Sequence, residues 1–153
     1  TRSKTLVAKN GNYAITAMSE IIKRSRSVNG VFPDLPPDDP RFRSGFTDCT
    51  AAGGIEGDHL ALKMTDSNEV ILSCNYDDSG KVASKSGATV YNLTDQSLIT
   101  DTCKITCHQS SSFSAPRIEI EFSLGIADGG GGIAENTKAV FQTQINIRNY
   151  NTK

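Results

Sequence analysis

An α+β fold, a long N-terminal α-helix packed on one face of an antiparallel β-sheet, is the class that the sequence predicts. Three observations carry that expectation. The first thirty residues repeat apolar side chains at helical spacing, six later segments alternate as strands do, and turn-forming residues separate those segments. No internal repeat and no second domain is visible. The organisation expected is therefore a single domain over 1–153, with a stalk helix at 1–29, an irregular connection at 31–57 and the antiparallel sheet at 58–150.

In the helix, Leu6, Val7, Tyr13, Ala14, Ala17, Met18, Ile21, Ile22 and Val28 recur at steps of three and four, with gaps at Asn10 and Ser25. Gly11 costs the helix about 1 kcal/mol relative to Ala, so packing must help hold these turns. Lys23, Arg24 and Arg26 suit the negative end of the helix dipole, and Asn29-Gly30 reads as a left-handed stop. No Ser, Thr, Asp or Asn cap stands before an apolar run at the start, so the helix is expected to begin in mid-course.

Residues 31–57 hold all but one of the prolines and show no lasting periodicity, which predicts an irregular connection laid over the body. Strand patterns follow at "DHLALKM" (58–64), "EVILSCN" (69–75), "ATVYNL" (88–93), "CKITC" (103–107), "RIEIEFSL" (117–124) and "KAVFQTQINIRNY" (138–150). Ile118, Ile120, Phe122 and Leu124 point one way, against Arg117, Glu119, Glu121 and Ser123. In the last strand Phe141, Ile145 and Ile147 oppose Gln142, Gln144, Asn146 and Arg148. Such alternation predicts a sheet with one buried and one wet face.

The 153 residues carry a formal net charge of -1, with 37% hydrophobic and 22% charged side chains. That balance argues against nucleic acid as a partner, because binding phosphates needs a concentrated excess of Lys and Arg. Apolar runs reach only two or three residues, far short of the roughly 20 needed to cross a bilayer. Charge is uneven, however. Residues 1–29 hold six basic side chains against Glu20 alone, and the remainder holds ten basic against sixteen acidic. A basic stalk on an acidic body suits contact with an anionic surface or with other copies of the chain, and a solvated helix face is the plainer reading.

Four cysteines, Cys49, Cys74, Cys103 and Cys107, form an even set. Two disulfides in an oxidising compartment are the first reading; free buried thiols, or a zinc site using Cys103, Cys107, His108 and one further cysteine, are the alternatives. If "CKITC" is a strand, Cys103 and Cys107 lie about 13 Å apart on one face. They could not then bridge each other, and each would need Cys49 or Cys74.

Catalytic motifs are missing: there is no G-x-S-x-G, no H-E-x-x-H and no P-loop, and His59 and His108 read as structural or surface residues. "DGGGG" (128–132) lies between two strands and reads as a hairpin tip rather than a phosphate cradle. "NYDDSGKVASKS" (75–86) places Asn75, Asp77, Ser79 and Gly80 at calcium-loop positions but has Ser86 where a bidentate Glu is required. It is a weak calcium candidate, as are Asp34, Asp38 and Asp39. No metal and no cofactor is expected. Asn92-Leu93-Thr94 fits a glycosylation sequon.

Taken together, "AMSEIIKRSRSV", "LTDQSLITDTCKITC" (93–107), "RIEIEFSLGI" and the closing "FQTQINIRNY" occur in an order that resembles the type IV pilin-like family, including minor pilins and the pseudopilins of secretion systems. The cysteines and the proline-rich connection are not part of the general pattern. The resemblance implies a leader cleaved ahead of an apolar helical half, which anchors the subunit in the membrane and later packs in a filament core. The chain would then be the soluble part of that helix with its head domain. It would serve as a non-catalytic structural subunit at the cell surface or in the periplasm. Its partners would be other pilin or pseudopilin subunits, and the membrane through the apolar segment. Lys23, Arg24 and Arg26 are the candidate assembly surface. The main competing expectation is a secreted adhesin-like binding module, calcium-dependent if the 75–86 loop holds the ion. A hydrolase using Ser and Lys without a recognisable motif is a remote third.

Overall fold

The computed structural model describes residues 2–32, 49–50, 55–76, 80–111, 113–130 and 132–147. The chain is mostly β. One helix, α1 (Arg2–Arg24), is followed by β1 (Ser25–Phe32), β2 (Ile55–Gly57), β3 (His59–Met64), β4 (Glu69–Tyr76), β5 (Lys81–Ser86), β6 (Thr89–Asn92), β7 (Leu98–His108), β8 (Arg117–Ile126) and β9 (Ala139–Asn146). These strands form two antiparallel sheets, in the orders β1-β3-β4-β5-β6 and β2-β7-β8-β9. The expected α+β class, a helix on a single sheet, is thereby corrected to a β-rich fold, with two sheets and one N-terminal α-helix among the described residues.

The helix also ends earlier than its apolar spacing predicts. Val7, Gly11, Ala14, Met18 and Ile22 form its buried stripe, and the last turn closes at Arg24. The Ile22 carbonyl, one of those that a helix end leaves without partners, is used at once. The buried Ser25 hydroxyl donates to the Ile22 carbonyl at 2.6 Å, and Arg24 Nε donates to the Glu20 carbonyl at 3.2 Å. Ser25 and Asn10, the two gaps in the helical pattern, are thus polar positions with defined tasks. Asn10 Nδ2 donates to the Leu6 carbonyl, and its Oδ1 accepts the Asp95 amide at 2.8 Å, pinning α1 to the loop before β7.

Residues 25–32 pair with β3 instead of extending the helix. Asn29-Gly30, read from sequence as a helix stop, sits at a register shift between Val28 and Gly30, where Gly30 takes a φ of 152°. Such a shift is the mark of a β-bulge, which inserts an extra residue and turns the strand. Asn29 Nδ2 donates across to Glu69 Oε2 at 2.7 Å.

The six strand patterns all lie on strands, and three further strands escaped notice. β1 was hidden by helical spacing and β2 by the irregular connection. β5 was taken up by the calcium-loop template, whose second half it occupies. In the second sheet the predicted alternation holds for Ile118, Ile120, Phe122 and Leu124, which are buried, and for Gln142, Gln144 and Asn146, which are exposed, but it fails at Ser123, expected on the wet face and buried against Thr102. Arg148 lies outside the described residues.

One hydrophobic cluster joins the helix (Val7, Ala14, Met18, Ile22) to the first sheet (Leu60, Leu62, Leu72) and to the second (Ile105, Ile118, Ile120, Phe122, Leu124, Ile145). Fully burying each such side chain is worth about 1.5–3 kcal/mol, so the buried stripe explains why α1 is seated on the body. It lies chiefly on β9 and β8. There Phe141 packs over Gly11, and its ring meets Phe122 at a centroid distance of 5.7 Å.

Candidate functional site

The densest polar chemistry inside the protein lies on β3 and β4, strands paired so that His59 faces Ser73. His59 Nδ1 is 2.6 Å from Ser73 Oγ, and its Nε2 lies 3.3 Å from Asp58 Oδ1. Burial pushes the imidazole down from its ordinary 6.5 to about 4, so it is neutral near pH 7. With the Ser73 hydroxyl donating to Nδ1, the ring proton sits on Nε2, on the side of the Asp58 carboxylate. Asn75 extends the chain, with Nδ2 donating to Asp58 Oδ2 at 3.2 Å and Oδ1 accepting the Gly80 amide at 2.8 Å.

A Ser, a His and an Asp in sequence invite comparison with a hydrolytic triad. Here the hydroxyl is out of reach: Ser73 is 1% exposed, His59 0% and Asp58 5%. A nucleophile must meet its substrate at an open position beside oxyanion donors. This trio instead lies in the interior, with its one hydroxyl turned to the imidazole and closed off from solvent. Sequence reading missed it because the partners belong to different strands. The usable signal was Asp58-His59 at the head of one strand and Ser73 in the next.

Beside this cluster two disulfides close. Cys74 on β4 is joined to Cys103 on β7, with Cα atoms 5.6 Å apart, and Cys49 is joined to Cys107 on β7, with Cα atoms 5.2 Å apart. The first ties one sheet to the other. The sequence expectation of two bridges, neither of them between Cys103 and Cys107, holds, and the zinc alternative is corrected because both thiols are consumed. The environment indicated is oxidising, extracellular or periplasmic. No helix among the described residues is long and apolar enough to cross a membrane.

Of the calcium candidates, Asp77 and Ser79, like Asp34, Asp38 and Asp39, lie outside the described residues. Asn75 has its oxygen engaged by Gly80, and Lys81–Ser86 is a strand paired with β4 and β6, not the returning half of an ion-binding loop. Among the described residues no group of three or more His, Cys, Asp or Glu converges to hold a metal ion. In the glycine-rich turn, Asp128 Oδ1 accepts the amides of Gly130 and Gly132 at 2.8 and 3.1 Å. The carboxylate thus occupies the place where an external anion would need to bind.

The three basic residues proposed from sequence as an assembly surface separate in the structure. Lys23 and Arg24 are exposed on the last turn of α1, with Lys23 Nζ 4.0 Å from Glu20, whereas Arg26 lies on β1 and is only partly exposed. The wet face of the second sheet forms an open trough of about 470 Å³, lined by Lys104, Thr106, Glu119, Glu121, Gln142 and Gln144. At one end of that face Glu119 lies within 3.4 Å of His108 and 3.6 Å of Arg117. Comparison of the chain with protein-family models, with curated proteins and with solved structures found no match.

Proposed function

We propose that this chain is the head domain of a structural subunit, a minor pilin or pseudopilin, of a type IV pilus-like or secretion-system filament, without catalytic activity. The observation that supports the reading is the exposed outer side of α1; its inner apolar stripe is covered, as a free-standing module would also require. That stripe is sealed lengthwise on β8 and β9, while Arg2, Lys9, Tyr13 and Lys23 are exposed on the other side of the helix. Tyr13, 63% exposed, is a large apolar ring in the middle of a cationic face. A helix held this way acts as a strut, passing load into the second sheet while its outer side remains for neighbouring subunits. The disulfide between the sheets keeps the head intact outside the reducing cytosol.

On this reading the partners are other pilin or pseudopilin subunits, and the parent reaches the membrane through an apolar segment ahead of the stalk. The location is the cell surface or periplasm, with no role for nucleic acid. The test is immunogold labelling of producing cells with antibody against this head, combined with sequencing of the parent gene upstream of Thr1. Labelled filaments and about 20 apolar residues behind a cleavable leader are expected. Antigen recovered wholly as free soluble protein would overturn the proposal.

A secreted adhesin-like binding module is the second reading, favoured by the polar trough on the wet face of the second sheet. A soluble ligand that raises Tm in the native chain, but not in a Glu121→Ala, Gln142→Ala variant, would select it.

A further inference from the structure

β6, a four-residue strand, is outermost in the first sheet among the described residues. All four of its residues, Thr89–Asn92, are exposed, including Val90 at 37% and Tyr91 at 59%. Exposed edges recruit other strands, and proteins blunt them with charge, proline or a bulge. "TVYN" has no charge and no proline, and its pairing with β5 runs without a register shift. The one chemical handle on it is Asn92. This residue begins the triplet Asn92-Leu93-Thr94, is exposed, and makes no side-chain hydrogen bond among the described residues.

Thr94 supplies a second, independent observation. It is 8% exposed and its Oγ1 is buried without a hydrogen-bond partner. Leaving a buried hydroxyl unpaired is costly and calls for an explanation other than folding, since valine would fill the same space without a polar atom. A hydroxyl needed by a modifying enzyme while the chain is still extended, and buried afterwards, is such an explanation. The oxidising compartment indicated by the disulfides is also where lipid-linked oligosaccharides are transferred.

We propose that Asn92 is an N-glycosylation site, the acceptor of an oligosaccharide from a lipid pyrophosphate donor, and that the glycan shields the β6 edge. In the transfer, Asn92 Nδ2 forms a bond to the anomeric carbon of the sugar. The bond from that carbon to the pyrophosphate oxygen breaks, the lipid pyrophosphate leaves with the electron pair, and the amide gives up one proton to the transferase. The sugar is left on a residue that the finished fold keeps in solvent.

The experiment is mass spectrometry of the full chain isolated from its native cells, beside Asn92→Gln, Thr94→Ser and Thr94→Val variants expressed in those cells. Wild type and Thr94→Ser are expected to carry a glycan on the peptide containing Asn92. Asn92→Gln and Thr94→Val are expected to lose it completely, while the purified Thr94→Val chain, with no hydroxyl left unpaired, melts at or above the wild-type temperature measured after enzymatic removal of the glycan. Unmodified Asn92 in the native chain, or a glycan that persists in Thr94→Val, would overturn the proposal. A Thr94→Val chain that melts well below deglycosylated wild type would also overturn it, by showing that the hydroxyl serves the fold.

Discussion

Phe141 on β9 lies so close over Gly11 on α1 that a β-carbon at position 11 would fall within its ring. Glycine in mid-helix is a local defect of about 1 kcal/mol, and here it lets an aromatic side chain approach the helix backbone.

Gly11→Ala is therefore expected to destabilise, although alanine is the better helix former. Overpacking of this kind costs about 1–3 kcal/mol, which exceeds the propensity gain. Urea denaturation of Gly11→Ala, Phe141→Leu and the double variant measures the coupling. The double variant should recover part of the loss of Gly11→Ala, whereas a more stable Gly11→Ala single variant would show that the ring moves aside freely.

The two disulfides close loops with sequence separations of 58 and 29 residues. Loop-closure entropy puts each at roughly 3–4 kcal/mol, the longer loop being worth slightly more. The unreduced chain should weigh four hydrogens less than its thiol form, and paired Cys→Ser replacement at 74 and 103 should lower the urea midpoint. Four thiols that react with iodoacetamide in the native protein would contradict the pairing.

His59 makes stability pH-dependent in a defined window. Its folded-state pKa of about 4 lies below the ordinary 6.5, so the unfolded chain binds the proton more readily. The contribution of the neutral ring is fully present above pH 6.5, falls as pH drops through that value, and is exhausted near pH 4. The loss over this window is roughly 3 kcal/mol. His59→Gln should start less stable at pH 7 and lose less between pH 7 and pH 4. Parallel pH curves for the two proteins would exclude His59 as the source.

Charge reversal should separate the three basic residues. Lys23→Glu and Arg24→Glu alter exposed positions and should change stability by less than about 1 kcal/mol, mostly through the helix end. Arg26→Glu puts an acid at a partly buried strand position and should be the most disruptive of the three by thermal melting. In the parent protein, Lys23→Glu with Arg24→Glu should reduce filament yield most at low salt. Unchanged yield at matched subunit level would leave these residues as a solvated helix face.

Legibility followed the range of the interactions. Period-two alternation in "RIEIEFSL" reports a local fact, one wet and one dry face, and it placed β8 and the core side of β9 correctly. Of the apolar residues read as the helix stripe, Val7, Ala14, Met18 and Ile22 are buried, whereas Tyr13 stands 63% exposed on the opposite side. Residues 25–29 were misread because Val28 continues the helical step, whereas the pairing of this strand with β3 depends on residues far along the chain, such as Met64 opposite Ser25. The same blindness to distant partners merged two sheets into one, hid β5 inside a calcium template, and left Ser73 unconnected to His59. The cysteines were an exception, since strand geometry alone forbade a Cys103–Cys107 bridge.

The seating of α1 on β9 also sets an order of events in time. Among the described residues every other strand precedes β9 along the chain. Contacts between such distant segments close slowly, because a large loop must be ordered before they form. The seating of α1, a contact between the first and the last of the described elements, is therefore expected to form late in folding.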